Sequence, residues 1–198
     1  MLKNAIFDFG GVVYAYNTDD ITRAFFPNES ERLQVKPILY RDWQSIDEGA
    51  IDYAEYAEST VQRVPESLRE ATRHFFRDWL HVEPPKPEIW ALIAELKARG
   101  VNVYLLSNAP TYFAECLGDY PILKLMDGVV VSGAIQKSKP NADIFEYTLN
   151  KFGLNAEESI FIDDNSPNVE AAEKCGLHGF TYHGEIESLR AKIEALMK

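Results

Sequence analysis

Short apolar runs and longer amphipathic stretches alternate along most of the chain. Runs rich in β-branched and aromatic residues predict buried strands at residues 4–7, 101–106, 129–131, 160–162 and 179–182. Apolar residues at helical spacing predict helices at residues 87–99 and 141–152, from 166 to just before Gly176, and at 185–197. Alternating strands and helices are typical of an α/β fold. We expect a three-layer α/β/α sandwich around a parallel, Rossmann-like sheet.

The segment between the first and second predicted strands has a different pattern. Residues 15–85 contain no convincing strand, and their apolar positions repeat at helical spacing. The Pro84-Pro85-Lys86-Pro87 stretch reads as the exit from this segment, because proline cannot continue a helix. The sequence therefore predicts a core of residues 1–14 and 86–198, with a helical insert at residues 15–85.

Composition narrows the classes of function. The 198 residues carry a formal net charge of −11, which argues against partners with many phosphates, such as nucleic acids or an anionic membrane surface. A small phosphorylated substrate stays open, because a bound cation can reverse the local field. The two cysteines have no metal-binding spacing, and the N-terminus lacks a signal-peptide pattern. We expect a cytoplasmic protein, either a monomer or a homodimer.

Polar residues follow the predicted strands at the edge where parallel sheets bind ligands. They are Asp8, Ser107, Asn108, Lys139, Asp163 and Asp164. A carboxylate can attack phosphorus, and Mg²⁺ held by carboxylates offsets the repulsion between nucleophile and phosphate. A hydroxyl and a lysine can bind the phosphoryl oxygens. Each residue alone has an ordinary structural explanation, whereas the set in this order predicts phosphate chemistry.

These motifs make the whole chain similar to the haloacid dehalogenase (HAD) superfamily. The matching segments are FDFGGVV around Asp8, LLSNA around Ser107, KSKPNADIF around Lys139 and FIDDNSPNVEAA around Asp164. The resemblance implies the catalytic residues Asp8, Ser107 and Lys139. It implies phosphate binding by Ser107, Asn108 and Lys139, and Mg²⁺ ligation by Asp8, the Gly10 carbonyl oxygen and Asp164. It implies supporting roles for Asp163 and Asn168.

The insert resembles the helical caps of sugar-phosphatase-like members, including the stretch with Trp43, Asp47-Glu48-Gly49 and Ile51. The resemblance therefore implies a Mg²⁺-dependent phosphatase that hydrolyses a small phosphomonoester, such as a sugar phosphate, through an aspartyl phosphate. Its cap would close over the site to select substrate and exclude water.

The chain departs from the family pattern at Gly10. Phosphatases of the family usually have an aspartate there, which protonates the leaving oxygen and then activates water. General acid–base groups contribute about 10²–10⁴-fold. Three explanations stay open: another base, from the cap or water; a substrate with an easily expelled alcohol, such as an anomeric sugar phosphate; or a catalytically weak protein that binds a phosphorylated ligand. A dehalogenase is less favoured, because Asp163 and Asp164 near Asp8 would repel each other without a cation.

Several residues of the insert and its borders are candidates for substrate contacts that the sequence does not select. Tyr14, Tyr16 and Trp43 are placed between cap and core, either as packing residues or as a stacking surface. The candidates for binding a second anion on the substrate are Arg41, Arg73 and Arg77.

Overall fold

The structure of the protein, a computed structural model, describes all 198 residues. The five strands are β1 (Asn4–Phe7), β2 (Asn102–Ser107), β3 (Gly128–Val131), β4 (Ser159–Asp163) and β5 (His178–Thr181). Between β1 and β2 lie α1 (Thr18–Phe25), α2 (Glu29–Leu39), α3 (Trp43–Asp47), α4 (Tyr53–Arg63), α5 (Arg69–Asp78) and α6 (Pro87–Ala98). The later helices are α7 (Thr111–Glu115), α8 (Ser132–Ile135), α9 (Ala142–Phe152), α10 (Ser166–Lys174) and α11 (Ile186–Met197).

The strands form one parallel sheet in the order β3-β2-β1-β4-β5. The chain moves outward from β1 through β2 and β3, then crosses to the other side of β1 to add β4 and β5. In the register of β1 and β4, Phe7 lies beside Ile162, and the Asp8 N–H donates to the Ile162 carbonyl at 2.8 Å. The carboxyl ends of β1, β2 and β4 therefore meet where the chain reverses direction, which is where such sheets bind ligands.

Both faces of the sheet are covered by helices. Because successive strand residues point to opposite faces, Phe7 packs into an apolar cluster with α6 and α11, whereas its neighbour Ile6 packs with α9 and α10. This arrangement confirms the three-layer α/β/α fold. The five predicted strands are present with bounds that differ by at most one residue. The short helices α7 and α8 were not predicted, because five and four residues are too few to show periodicity.

Helix boundaries follow local signals. The side chains of Asn17, Asn28 and Asp52 accept hydrogen bonds from the first turns of α1, α2 and α4, which satisfies N–H groups that have no partner within the helix. Helix α6 begins with Pro87, and α9 ends at Gly153 in the left-handed conformation. No helix is both long enough and apolar enough to cross a membrane.

The segment that carries α1 to α5 leaves the sheet side of the molecule and returns to it at adjacent positions. Ala15 N–H donates to the Pro84 carbonyl at 2.9 Å, and Lys86 N–H donates to the Val13 carbonyl at 3.1 Å. This short antiparallel pairing joins the two ends of the insert. Apolar residues of the insert belong to the same cluster as one face of the sheet, so the insert packs directly on the rest of the molecule.

Candidate active site

A buried lysine lies between two carboxylates at the carboxyl end of the sheet. Lys139 Nζ donates to Asp8 Oδ1 at 2.7 Å, to Asp163 Oδ2 at 2.7 Å and to the Leu106 carbonyl at 3.1 Å. The Lys139 side chain is only 1% exposed. Its three donors are all used, as a buried ammonium requires. The structure thus brings together three of the residues predicted from the strand ends.

Burial and pairing act against each other in this cluster. Burial raises the pKa of Asp8 to about 7, although the Lys139 ammonium opposes the change and Asp163 adds to it. Burial alone would lower the pKa of Lys139, but the attraction of Asp8 and Asp163 outweighs it, so that pKa is raised. Lys139 therefore remains charged and holds an anionic oxygen of Asp8 in place.

Both carboxylate oxygens of Asp163 accept hydrogen bonds from groups of the protein. Asn168 Nδ2 lies 3.2 and 3.1 Å from its two oxygens, and the Asn165 N–H donates to Oδ1 at 2.8 Å. Both residues belong to the turn that starts α10. With Lys139 on its other oxygen, Asp163 is a positioning group for the lysine. Asp163 and Asn168, to which the family resemblance assigns supporting roles, thus lie in contact with each other beside Lys139.

Asn108 is bound to the main chain of Lys139. Its Nδ2 donates to the Lys139 carbonyl at 2.8 Å, and its Oδ1 accepts from the Lys139 N–H at 2.9 Å. Both polar atoms of the side chain are therefore used in holding Lys139. A contact between Asn108 and phosphate would have to come from its main-chain N–H or from the second N–H of its Nδ2. Ser107, the last residue of β2, lines the same cavity as Asp8 and Lys139.

Carboxylate oxygens of Asp8, Asp163 and Asp164 all lie within 4.8 Å of one another. Burial, followed by repulsion from Asp163, raises the pKa of Asp164. Close carboxylates of this kind are the hard oxygen donors that Mg²⁺ prefers. Both oxygens of Asp163 already accept hydrogen bonds, whereas Lys139 engages only Oδ1 of Asp8, so Asp8 and Asp164 are the two carboxylates best placed to bind a cation.

Gly11 makes room for Asp164. It has a φ of +79°, and a Cβ at this position would lie 2.1 Å from Asp164 Oδ2. A side chain at residue 11 would therefore collide with the carboxylate as well as strain the backbone. The Gly11 carbonyl accepts a hydrogen bond from Lys86 Nζ, which also lies 5.2 Å above the ring of Tyr182. Lys86 was read from the sequence only as part of a proline-rich exit.

The polar cluster opens into a cavity of about 320 Å³ between the sheet and the insert. Ten of the twenty residues that line it are hydrophobic. Among the lining residues, Lys139 is the only cation, whereas Asp8, Asp47, Glu83 and Asp164 are carboxylates. The cavity therefore combines one phosphate-binding end with apolar and acidic walls.

The insert supplies part of the cavity wall. Tyr14, Tyr16 and Trp43 line it, so the aromatic residues singled out in the sequence do lie between insert and sheet. None of Arg41, Arg73 and Arg77 lines it. Asp47 does, although the sequence offered no role for it beyond its place in an Asp-Glu-Gly stretch.

Comparison with known proteins agrees with this geometry. The model of the haloacid dehalogenase-like hydrolase family matches residues 2–176. The sesquiterpene phosphatase astK of Aspergillus oryzae is 29% identical over 184 residues, covering 89% of this chain and 88% of that protein. The D-ribitol-5-phosphate phosphatase of Bacteroides thetaiotaomicron is 24% identical over 195 residues, covering 91% of both.

A solved structure shows the same fold. A HAD family enzyme from Bacteroides thetaiotaomicron, in complex with magnesium and inorganic phosphate, superimposes with a TM-score of 0.68 at 22% identity, covering 93% of this chain and 96% of that one. The family match spans most of the chain, which confirms the resemblance seen in its motifs. The chain belongs to the haloacid dehalogenase-like hydrolase family and is a hydrolase whose relatives include phosphatases.

Proposed function

We propose that the protein is a Mg²⁺-dependent phosphatase that hydrolyses a small phosphomonoester through a phosphorylated Asp8. The observation that carries this proposal is the buried arrangement of Lys139 between Asp8 and Asp163, at the bottom of a cavity also lined by Ser107 and Asp164. A nucleophile, a phosphate-binding ammonium and a hydroxyl converge on one point.

The residues of the chain divide the work of the first step. Asp8 attacks phosphorus and forms an aspartyl phosphate, while Ser107 binds an oxygen of the transferred group and the Lys139 ammonium, which donates to Asp8, places its positive charge beside that group. Asn108 and Asp163 keep Lys139 in position through the hydrogen bonds described above. Asp8, the Gly10 carbonyl and Asp164 would hold Mg²⁺. When bound, the ion supplies positive charge that offsets repulsion between the anionic nucleophile and the phosphate.

We propose that residues 15–85 act as a cap on a core formed by residues 1–14 and 86–198. The chain passes between the two parts only at residues 14–15 and 85–86, and hydrogen bonds from the Ala15 N–H to the Pro84 carbonyl and from the Lys86 N–H to the Val13 carbonyl hold these two crossings together. Aromatic residues of the insert line the cavity. Closing such a cap excludes water from the reacting phosphate.

The walls of the cavity favour an uncharged alcohol as the organic part of the substrate. Beyond the phosphate end, the ionisable groups that line the cavity are the carboxylates Asp47 and Glu83. A substrate with a second anion would find no cation to pair with there and would be repelled by the Glu83 carboxylate. Sesquiterpene and ribitol phosphates, on which the two relatives are named as acting, both carry uncharged organic parts. A sugar phosphate and an apolar alcohol phosphate both remain in this class.

The test is phosphate release with and without Mg²⁺ from an aryl phosphate, an anomeric sugar phosphate and its 6-phosphate isomer. Release that requires Mg²⁺ and disappears in Asp8→Asn would support the proposal. 2-Phosphoglycolate, whose organic part carries a carboxylate and no cation, serves as the comparison with a second anion and should be the poorest substrate. A folded protein that releases no phosphate from any ester would instead favour a phospho-ligand binding protein. Chloride release from a 2-chloro acid would favour a dehalogenase.

A further inference from the structure

Related phosphatases carry their general acid at the position of Gly10, and in this protein the ring of Tyr16 occupies the space beside that residue. A Cβ added to Gly10 would lie 3.2 Å from both Cβ and Cγ of Tyr16. This is closer than the ordinary contact between carbon atoms. Tyr16 therefore packs over residue 10, and the proton for the leaving oxygen has to come from elsewhere.

Asp47 lines the same cavity with a carboxylate whose Oδ1 atom has no hydrogen-bond partner. It is the last residue of α3 and lines the cavity together with Asp8, Ser107 and Lys139. Its Oδ1 atom is buried and has no hydrogen-bond partner. Buried polar atoms in folded proteins are almost always paired, because an unpaired one costs about 1–3 kcal/mol. The other oxygen, Oδ2, is not buried in this way and makes no hydrogen bond within the protein, so it is the atom through which the carboxyl can contact a group that enters the cavity.

The loop that carries Asp47 is fixed to the sheet side of the molecule. Ser132, at the start of α8, donates to the Asp47 carbonyl and accepts from the Ala109 N–H at 2.9 Å. Gly49 has a φ of +69°, and a Cβ there would lie 2.3 Å from the Gly133 carbonyl. The position of Asp47 relative to the residues after β2 is thus set by close main-chain packing.

The groups that face Asp47 keep its carboxyl protonated near neutral pH. Burial raises its pKa to about 8; the negative charges of Glu48 and Asp8 add to the rise, and Lys139 opposes it. Tyr16 also faces it, and burial followed by the charge of Asp47 raises the pKa of that phenol. Asp47 is therefore the more acidic of the two groups and the better proton donor.

We propose that Asp47 is the general acid and base of this enzyme, supplied by the insert in place of the residue missing at Gly10. The inference rests on the proposed phosphatase activity. As Asp8 forms its bond to phosphorus, the bond from phosphorus to the ester oxygen breaks, and Asp47 gives its proton to that oxygen. Asp47 then takes a proton from the water that attacks phosphorus and releases Asp8 as a carboxylate.

The experiment compares Asp47→Asn with wild type on esters whose alcohols differ in acidity. On an alkyl phosphate, whose alkoxide needs a proton to leave, kcat/KM should fall by about 10²–10⁴-fold. On 4-nitrophenyl phosphate, whose phenolate leaves unprotonated, the pre-steady-state burst of nitrophenol should persist at close to the wild-type rate. Steady turnover after the burst should slow, since the base of the second step is lost. The high-pH limb of the alkyl phosphate profile should vanish.

Asp20→Asn is the matched control, because it makes the same substitution at another carboxylate of the insert, which is exposed, pairs with Arg23 and does not line the cavity. It should leave both substrates within about threefold of wild type. Equal losses on the two esters in Asp47→Asn, appearing in KM alone, would overturn the proposal and make Asp47 a substrate-binding residue. Unchanged activity on both would overturn it as well. If the phosphatase proposal itself is wrong, the result differs from both of these. Wild type would then release no phosphate, and Asp8→Asn would show no further loss.

Discussion

The two sides of the cavity each contribute a carboxylate with buried oxygen, and the two carboxylates differ in their hydrogen bonding. On the sheet side, Asp163 accepts hydrogen bonds from Lys139, Asn168 and the Asn165 N–H. On the insert side, Asp47 has a buried oxygen with no partner. The first carboxylate stabilises the arrangement around it, whereas the second costs the fold free energy. The difference separates a group that positions other groups from one that is kept for the reaction.

The largest effect is expected from Asp8→Asn. The amide cannot attack phosphorus, so kcat should fall by at least about 10⁴-fold, as it does when a nucleophile is removed from other hydrolases. Asp20→Asn is the control, because Asp20 is exposed and pairs only with Arg23. Phosphate release by Asp8→Asn within tenfold of wild type would contradict the assignment of the nucleophile.

Removing Lys139 should damage both stability and activity. Lys139→Met leaves Asp8 and Asp163 close together without a cation between them, and breaking a buried pair in this way costs about 3–5 kcal/mol. Lys137→Met removes the same charge from an exposed pair with Asp143 and should cost less than about 1 kcal/mol. Urea unfolding of the two variants measures the difference. Equal stabilities would mean that the buried cluster contributes nothing to folding.

The contrast between the two carboxylates can be measured by the same substitution at each. Asp163→Asn weakens the hold on Lys139 and should destabilise by about 3 kcal/mol, since one buried partner is lost. Asp47→Asn should unfold at the same or a higher urea concentration than wild type. Metal-free protein is used for both. An Asp47→Asn variant that loses as much stability as Asp163→Asn would make Asp47 a structural residue.

The stability of Asp47→Asn relative to wild type should depend on pH. Burial raises the pKa of Asp47 in the folded chain from 3.8 to about 8, so folding requires proton uptake by this group between these values. Wild-type stability contributed by this proton is therefore lost as pH rises through that window. The variant lacks the titration, and its advantage should grow from pH 4 to pH 8. A constant difference across this range would contradict the burial of an unpaired carboxyl.

The smallest effect concerns Gly11 and the metal site. Gly11→Ala and Gly100→Ala place a side chain at nearly the same positive φ, +79° and +80°, so each should cost about 1–2 kcal/mol. Only the first would push against Asp164, because nothing lies within 4 Å of a Cβ at residue 100. Gly11→Ala alone should therefore raise the Mg²⁺ concentration needed for half-maximal activity. A similar Mg²⁺ requirement in both variants would remove Asp164 from the proposed site.

Sequence patterns predicted the sheet side of the cavity well. Parallel strands with buried, β-branched residues can pair in one register only, so the residue after each strand is carried to a common edge. Asp8 and Asp163 meet there for this reason, and Lys139 reaches them from the loop between α8 and α9. The patterns also predicted helices and no strand for residues 15–85, since long helical periodicity is the easiest signal to read.

The residues that the insert contributes to the cavity could not be predicted from the sequence in the same way. Asp47 reaches the cavity because Gly49 packs against Gly133 and Ser132 binds the Asp47 carbonyl, and such contacts join residues about 85 positions apart. The local sequence pattern gives no indication of such contacts. The use of the Asn108 side chain to hold Lys139 was missed for the same reason, because the two residues are 31 positions apart.

The central claim is that the phosphoryl group is transferred to the Asp8 carboxylate before water releases it as phosphate. Wild type mixed with an aryl phosphate and Mg²⁺ would be quenched in acid during the first turnover, digested, and its peptides mapped by mass spectrometry. The account predicts an acid-stable, base-labile phosphoryl group on the peptide that contains Asp8, formed before free phosphate appears. Release of phosphate at full rate, with no phosphorylated Asp8 at any time, would contradict it.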